Sequence, residues 1–599
     1  MFGRLFLFFC VYLAVSGGAL ADNLAWQKLL HYQEKGGGYV SLVENEAFFL
    51  TEEGRYNSEA EYAAAVLAFN EPSDRRKCDF PARFMLLKKM GVVAGTLAEC
   101  EEYQKFLSDV QPKAVTMLFT NAYMSNPSSL FGHTLFRIDT KRKGTQLLAH
   151  GANFGADTGD ESGVLFALKG LWGGYYGTFG VRPYYDVINL YNNIENRDIW
   201  EYQLNLSDEE LELFTAHMWE MKHAKIRYYF LNKNCSYVLL SMLEAVRPSL
   251  VLTNKFEWSA APLATLKAVN EVPNLVAKVN YRPSRQSKLK YRAKQMNKQQ
   301  RSAFQQIIRK DEVDLNELNE EEKADVLETA YQYVQYRYVE GDLELVDYRK
   351  KSFALLRERS KIANQRQYFD ELKEGENPVY AHQSAQIGAM LGVRNGDVFQ
   401  EVSFKPAYTT LLDDSFGMLK GAEINMFETT LRHYDKRDKY VLEELNLLNI
   451  KSLSGADMMF TPFSYDIGVA LKRIFDAKSG EEHTAFVVKV GAGQSYALTE
   501  NTLLYVLTTP NTTYNGGLSN NGYMGLSFQG GIYYNNGRIR LNASAEQNFT
   551  TSTVARGQTY QIEAAYGLTR DVSFYGKYKM FNSDYNDEEE ISFGVKVGF

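Results

Sequence analysis

The chain ends in nine residues that alternate between two kinds of side chain, Ile591-Ser592-Phe593-Gly594-Val595-Lys596-Val597-Gly598-Phe599. Large apolar residues occupy every second position, and small or polar residues lie between them. Successive side chains of a β-strand point to opposite faces. The pattern therefore predicts a strand with one wholly apolar face, suited to contact with lipid.

The same period of two recurs upstream. Residues 538–546 and 560–569 alternate in this way, and turn signals lie at 535–537 and 570–571. A soluble antiparallel sandwich would also alternate, but the long strands, the abundant Gly and Tyr and the aromatic last residue favour a membrane barrel. The 220 residues from Tyr380 to Phe599 suffice for about 12 strands at roughly 18 residues per strand and turn. We predict an antiparallel transmembrane β-barrel in 376–599, whose last strand resembles the assembly signal of Gram-negative outer-membrane proteins.

The composition fits a membrane protein better than a nucleic-acid-binding one. The 599 residues include 40 Tyr and 36 Phe, and the formal net charge is −7. Tyrosine is enriched where a protein meets the membrane interface. A negative net charge argues against binding to phosphate backbones, so no nucleic-acid partner is expected.

The N-terminus reads as a secretory signal peptide, 1–21. Arg4 precedes an apolar run from Leu5 to Val15, and Ala19-Leu20-Ala21 forms a cleavage site. The alternative, a membrane anchor, is disfavoured because a spanning helix needs about 20 apolar residues.

Three regions lie between the leader and the barrel. We predict a helical N-terminal periplasmic domain in 22–112, an α+β catalytic domain in 113–280 and a charged helical connector in 281–375. Ten Lys or Arg and no acidic residue lie between Arg282 and Lys310. This basic stretch is interpreted either as a solvated connector or as a surface that contacts anionic lipid headgroups.

The cysteines leave one thiol over. Cys10 leaves with the signal peptide, and Cys78 and Cys100 are close enough in sequence to pair in an oxidising compartment. Cys235 remains, after a helix-capping residue, Asn234, and at the first turn of a predicted helix. The helix dipole and Lys233 would stabilise a thiolate there. The alternative is a buried, inert cysteine.

A thiolate enzyme needs a base, and His133 is the candidate. It follows a turn-rich loop and Gly132 at the start of a predicted strand, from which the ring can reach a helix N-terminus. His217 and His223 are six residues apart, which does not suit a shared metal ion, and they are predicted to be surface groups. No metal motif or nucleotide fingerprint is present, so no cofactor and no metal are expected.

The motifs Ser129-Leu130-Phe131-Gly132-His133-Thr134 and Asn234-Cys235-Ser236 together resemble the N-terminal periplasmic domain family of the lipoprotein N-acyltransferase Lnb. That family is similar to circularly permuted papain-like enzymes of the NlpC type. The resemblance, over about 113–280, implies Cys235 as nucleophile and His133 as general base. It also implies a third, orienting polar group on the next strand, for which Asn153 is preferred and His150 is the alternative.

These features predict acyl transfer or hydrolysis through a Cys235 thioester, with the glycine-rich segment 169–180 as a lid or acyl groove or as an ordinary connection. The barrel would hold the active site at the periplasmic face of the outer membrane. Outer-membrane lipids are the expected partners, with lipoprotein or peptidoglycan as candidate substrates and the barrel assembly machinery as a partner during biogenesis. Two alternatives remain open: a peptidoglycan amidase or peptidase, and a non-enzymatic barrel with a binding or plug domain.

Overall fold

The structure, a computed structural model, falls into two compact units. Met1–Tyr291 with Glu371–Lys373 form the first, and Arg292–Asp370 with Glu374–Phe599 form the second. The described residues are 23–122, 130–142, 146–159, 169–310, 313–363, 372, 374–476, 481–518, 521–551, 556–583 and 587–599. The predicted signal peptide, 1–21, and Ser129 of the His133 motif lie outside these ranges.

Twelve antiparallel strands form a closed barrel in the second unit. Their bounds are Gln386–Arg394, Asp397–Lys405, Glu428–Tyr434, Lys439–Ser452, Ser464–Asp476, Glu481–Ala497, Thr502–Tyr514, Gly522–Asn535, Ile539–Thr550, Gly557–Gly567, Val572–Asn582 and Asp587–Gly598. Short strands at Ala407–Thr409, Ala422–Met426 and Gly455–Ala456 add to the sheet. The first and last strands pair from Gln386↔Gly598 to Arg394↔Glu590, which closes the ring. The prediction of about 12 strands is confirmed.

The two faces of the barrel wall follow the alternation in the sequence. Outward residues such as Phe593 and Ile539 are 63% and 50% exposed, whereas the inward Ser592 and Arg540 are 1% exposed. Closure pairs the backbone of each strand with both neighbours, as a structure in hydrocarbon requires.

The lumen is filled at the end where the chain enters and leaves the barrel. The connection 410–421 places Leu411 against inward-facing Leu507 and Tyr533. It also places Leu412 against Met390 and Tyr575. These contacts reach strands on different sides of the ring.

Charged side chains occupy the other half of the lumen. Arg394 pairs with Glu443 at 2.9 Å, and Arg432 pairs with Glu590 at 2.8 Å. Each pair joins strands that lie three apart in the ring.

Helices precede the barrel, at Arg285–Gln295, Lys298–Lys310, Glu320–Val339 and Leu345–Ser360, and a 3-10 turn lies at Pro378–Tyr380. Within the second unit, Tyr333 donates a hydrogen bond to the carbonyl of Met459 at 2.7 Å and packs against Phe460. Among the described residues, none of the helices has the length and apolar character needed to cross a membrane.

A seven-stranded antiparallel sheet forms the centre of the first unit. In spatial order its strands are Ile226–Tyr228, Tyr175–Pro183, His150–Ala156, His133–Thr140, Pro112–Thr120, Ile199–Leu204 and Val276–Arg282. The α-helices of this unit include Ser58–Asn70, Arg76–Asp79, Pro81–Lys89, Glu101–Val110, Tyr184–Ile188, Asp208–Glu220, Cys235–Val246 and Pro262–Glu271. Short helical turns lie at Glu46–Phe48, Gln146–Leu148, Asn189–Ile194, Met221–His223 and Thr253–Phe256. The predicted multidomain fold is confirmed, as an N-terminal region of helices and strands followed by a closed twelve-stranded barrel.

Residues 22–112, predicted to be helical, also contain a hairpin formed by Tyr32–Lys35 and Gly38–Ser41. The predicted disulfide is present in this region, with Cys78 and Cys100 Cα atoms 5.2 Å apart. It fastens Arg76–Asp79 to the start of Glu101–Val110.

A buried ionic cluster supports the helix Asp208–Glu220, which begins with a capping box between Ser207 and Glu210. Arg83 pairs with Glu61 at 2.9 Å and with Glu220 at 3.5 Å, and all three side chains are fully buried. The prediction that His217 lies on the surface is wrong: it is 0% exposed, and its Nε2 lies 2.9 Å from Nε2 of His31. The six-residue spacing of His217 and His223 carries no information on His31, which is 186 residues away from His217 in sequence.

Candidate active site

Cys235 is the first residue of a helix that is buried along its whole length, Cys235–Val246. The Asn234 side chain caps the helix by accepting hydrogen bonds from the amides of Ser236 at 3.0 Å and Tyr237 at 3.3 Å. The thiol is free and 3% exposed. The local sequence thus gives the sulfur a position at the positive end of a helix.

His133 begins the neighbouring strand, His133–Thr140, and Gly132 makes this position possible. Gly132 has φ +84°, and a Cβ there would lie 2.9 Å from the Phe119 ring and 3.0 Å from the Thr120 carbonyl oxygen. Only glycine combines that backbone conformation with so close an approach. The turn then directs the imidazole towards the Cys235 helix.

The structure brings Cys235, His133 and Asn153 together. His133 Nδ1 lies 3.1 Å from Cys235 Sγ, and His133 Nε2 lies 2.7 Å from Asn153 Oδ1. Among the residues that the structure describes, His150, the alternative third residue, has no hydrogen-bond partner at its buried Nδ1. A ring that donates from Nε2 to the Asn153 amide oxygen keeps Nδ1 available to accept a proton from sulfur.

The electrostatics favour a thiolate beside an imidazolium. Burial opposes ionisation, but the charge of His133 and hydrogen bonds from His133, the Thr134 amide and Ser236 lower the pKa of Cys235 to about 6. Burial likewise opposes the charged imidazole, yet the thiolate and its hydrogen bond raise the pKa of His133, against a smaller opposing effect of Arg197. Both shifts favour the same ion pair.

Thr134 and Ser236 fix the strand to the helix. Their hydroxyl oxygens are 2.8 Å apart, and both residues are fully buried. Because Thr134 follows His133 and Ser236 follows Cys235, this bond sets the distance between base and sulfur.

Tyr228 is a site residue that the sequence reasoning missed. The Cys235 amide donates to the Tyr228 hydroxyl oxygen at 3.3 Å. Burial, followed by the nearby thiolate charge, raises the pKa of Tyr228 well above its ordinary value, so the phenol keeps its proton. A short strand, Ile226–Tyr228, delivers this residue; its position shortly before the Cys235 helix is the only sequence signal for it.

Aromatic rings surround Tyr228. Phe154 stacks on it with ring centres 5.8 Å apart, and Phe230 meets it edge-on at 6.0 Å. Phe179 packs against Phe154 at 5.1 Å. These rings give the site an apolar wall.

The glycine-rich segment 169–180 divides into two parts. Residues from Tyr175 onward form a strand inside the sheet, so this half is part of the scaffold. Earlier in the segment, a Cβ on Gly170 or Gly173 would overlap the rings of Phe230 or Tyr229, so the glycines allow close packing on the loop before Cys235.

Lys233, predicted to stabilise the thiolate, lies two residues before Cys235. It lines a polar cavity with residues of the N-terminal hairpin, and Cys235 is not among the lining residues. Across the described residues, no group of three or more His, Cys, Asp or Glu side chains could hold a metal ion.

Four family models match the chain. Residues 102–272 match the Lnb N-terminal periplasmic domain. Residues 18–90, 279–370 and 375–597 match three domains of unknown function, DUF7843, DUF7842 and DUF7840. No curated protein sequence matches the chain significantly.

Solved structures of barrel proteins align with part of the chain. The KdgM porin in complex with disordered oligogalacturonate is 9% identical over 36% of this chain and 99% of its own, with a TM-score of 0.23. The NanC porin is 11% identical over 36% and 100%, with a TM-score of 0.25. The Acinetobacter baumannii outer-membrane protein Omp33 is 12% identical over 37% and 100%, with a TM-score of 0.21.

The closed barrel presents apolar side chains outward, and the domain before it matches a periplasmic family. The protein is therefore located in the outer membrane, with its N-terminal region in the periplasm. Residues 102–272 match the Lnb N-terminal periplasmic domain, and one chain joins this region to a twelve-stranded outer-membrane barrel.

Proposed function

We propose that the periplasmic domain is a thiol enzyme that transfers or hydrolyses acyl groups of lipid or lipoprotein substrates through a Cys235 thioester. The observation that carries the proposal is the Cys235–His133–Asn153 arrangement, with contacts of 3.1 Å and 2.7 Å. Nucleophile, base and orienting group in this order are the components of nucleophilic catalysis. The match to the Lnb domain family supports the same chemistry.

In the first half-reaction, the Cys235 thiolate attacks the carbonyl carbon of an ester, and a C–S bond forms. The Tyr228 hydroxyl, whose oxygen accepts a hydrogen bond from the Cys235 amide at 3.3 Å, donates its proton to the developing oxyanion. The intermediate then expels the alcohol, which takes its proton from the His133 imidazolium. The products of this step are a thioester and a free alcohol.

In the second half-reaction, His133 removes a proton from an amine or a water molecule, which attacks the thioester carbonyl. The C–S bond breaks and the thiolate is restored. An amine acceptor yields an amide, and water yields a free fatty acid.

The apolar wall of Phe154, Phe179 and Phe230 supports an acyl group as the part of the substrate next to the sulfur. A peptide stem from peptidoglycan would present polar atoms to these rings. We therefore prefer the lipid-directed reaction to a peptidoglycan amidase or peptidase, and both to a non-enzymatic domain.

The test uses the purified full chain and its Cys235→Ala variant. Each is incubated with a fluorescent phospholipid, a diacylated lipopeptide or a muropeptide, and the protein mass is measured before turnover is complete. We expect an acyl adduct on the wild type with a lipid substrate and none on Cys235→Ala. Cleavage of the muropeptide alone would favour the peptidase, and equal behaviour of both proteins on all substrates would refute an enzymatic role.

The orienting group is tested in the same assay. Asn153→Ala should slow adduct formation by about 10²-fold, the lower end of what a well-placed general base contributes. His150→Ala is the matched control, because His150 lies on the same strand and its Nδ1 makes no hydrogen bond within the described part of the chain. Loss of activity in His150→Ala with normal activity in Asn153→Ala would reverse the assignment.

A further inference from the structure

A polar cavity of about 150 Å³ lies between the N-terminal hairpin and the loop that leads to Cys235. Its lining includes four basic side chains, Lys35, Arg55, Arg227 and Lys233. The volume is below the roughly 300 Å³ at which pockets begin to take drug-sized ligands. The cavity therefore suits a small polar group, without attached hydrocarbon chains.

The charges in this cavity are not balanced. Glu44 pairs with Arg55 at 2.9 Å and with Arg227 at 3.1 Å, so one carboxylate serves two guanidinium groups. Glu34, the other acid in the lining, is exposed at its rim. Four cations against two carboxylates leave a surplus of two positive charges.

The surplus resides on the two lysines. Within the described residues, the structure gives neither Lys35 nor Lys233 an ion pair. Burial, and then repulsion by Lys35 and Arg55, lowers the pKa of Lys233 against the opposing effect of Glu44. An anion in the cavity would relieve this repulsion, and two guanidinium forks with two ammonium groups are the donors that phosphate prefers.

The cavity is linked directly to the active-site helix. Lys233 lies two residues before Cys235, and the Gln33 amide, also in the lining, donates to the hydroxyl of Tyr237 in the first turn of that helix. A group held in the cavity would therefore lie against residues that contact the start of this helix.

Two exposed tryptophans lie on the segments that bracket the loop 229–233. Trp172 is 74% exposed and Trp258 is 89% exposed. Arg227 donates to the carbonyl of Gly173 at 3.1 Å, beside Trp172, and Asn232 donates to the carbonyl of Glu257 at 3.3 Å, beside Trp258. Tryptophan side chains prefer the membrane interface, so their position next to a cationic cavity favours a phosphate that belongs to a lipid.

We infer that this cavity binds the phosphate of a phospholipid head group and so makes a phospholipid the acyl donor. The inference rests on the proposed function for the identity of the donor, and on the cavity itself for the phosphate. The acyl ester is then presented to Cys235 by a head group fixed between the hairpin and the loop 229–233.

Binding is tested without catalysis, with the full chain carrying Cys235→Ala and purified in detergent. Dihexanoyl phosphatidylglycerol, glycerophosphoglycerol and inorganic phosphate are titrated separately and followed by ³¹P NMR line broadening. We expect the short-chain lipid to bind. The double variant Lys35→Gln/Lys233→Gln should bind it about 10-fold more weakly or worse, because charge-assisted hydrogen bonds are lost. Lys35→Gln alone, at an exposed position, should give part of this loss, and Lys105→Gln on an exposed helix face is the matched control.

Absence of lipid binding, or equal binding by the double variant and the control, overturns the inference. Inorganic phosphate that binds as tightly as the lipid overturns the assignment to a lipid head group. Adduct formation on the catalytic protein is measured in parallel. Binding without an adduct refutes the proposed function and retains the phosphate site, whereas an adduct whose rate is unaffected by the lysine substitutions refutes the site alone.

Discussion

Removal of the His133 imidazole should abolish the reactivity of Cys235 at neutral pH. The perturbation is His133→Ala, which deletes the group 3.1 Å from Sγ. His133 provides both the opposing charge and the hydrogen bond that act most strongly against the effect of burial on the thiol. Without them, burial raises the pKa of Cys235 above its ordinary value of 9.0.

The size of the expected loss of reactivity follows from the pKa of the Cys235 thiol with and without His133. The pKa of Cys235 falls from 9.0 to about 6, a difference worth about 4 kcal/mol in favour of the thiolate. At pH 7 the ionised fraction falls from about nine-tenths to about one-hundredth when the pKa returns to 9. The thiolate is the reactive form, so wild-type reactivity is present above pH 6 and is lost as the pH falls through that value.

The assay is the rate of alkylation by iodoacetamide as a function of pH, measured on the full chain, with Cys235→Ala as the blank. Cys78 and Cys100 are joined in a disulfide and do not react. We expect a midpoint near pH 6 for the wild type and for the His150→Ala control, and a midpoint above pH 9 for His133→Ala. A wild-type midpoint near 9, or one that His133→Ala leaves in place, would refute the ion pair.

Three further outcomes are expected. Tyr228→Phe should reduce turnover by about 10²-fold, the lower end of the loss on removing one oxyanion donor, and should leave the alkylation midpoint unchanged; an unaltered turnover would contradict its role. Arg83→Leu should lower the unfolding free energy of the N-terminal unit by about 3–5 kcal/mol, because it leaves the buried carboxylates of Glu61 and Glu220 without their cation. Lys89→Gln, which removes an exposed ion pair with Glu209, should change it by less than about 1 kcal/mol. Tryptophan fluorescence measures this unit alone, since all five tryptophans lie between residues 26 and 258; equal losses in the two variants would refute the argument. Planar bilayers with the wild type should carry no steady porin current, and replacement of 410–421 by a short Gly/Ser turn should open one; a wild-type current would show that the lumen is not blocked.

The barrel could be predicted because its signal is local. The alternation around Phe593 and the length of the C-terminal region can be seen from neighbouring residues in the sequence. A closed ring then provides backbone hydrogen-bond partners for every strand. The same is true of Asn234 and Cys235, whose cap and helix start are within four residues of one another.

The remaining features depend on contacts between distant segments. The sequence favoured Asn153 over His150 only slightly because both lie on one strand, and the register and the turn at Gly132 decide which one reaches the ring. Tyr228 carries no periodic signal, since its role comes from the path of a three-residue strand. The burial of His217 could not be predicted because its partner, His31, lies on the N-terminal segment, 186 residues away in sequence.

The turns at the end of the barrel opposite its termini are short. The connection after Arg394 has two residues, the one after Tyr434 has four, and the longest, 515–521, has seven. This end faces the cell exterior, since the chain enters the barrel from a periplasmic domain. Antibodies or bacteriophages that approach the cell would therefore find few residues to bind beyond the barrel wall.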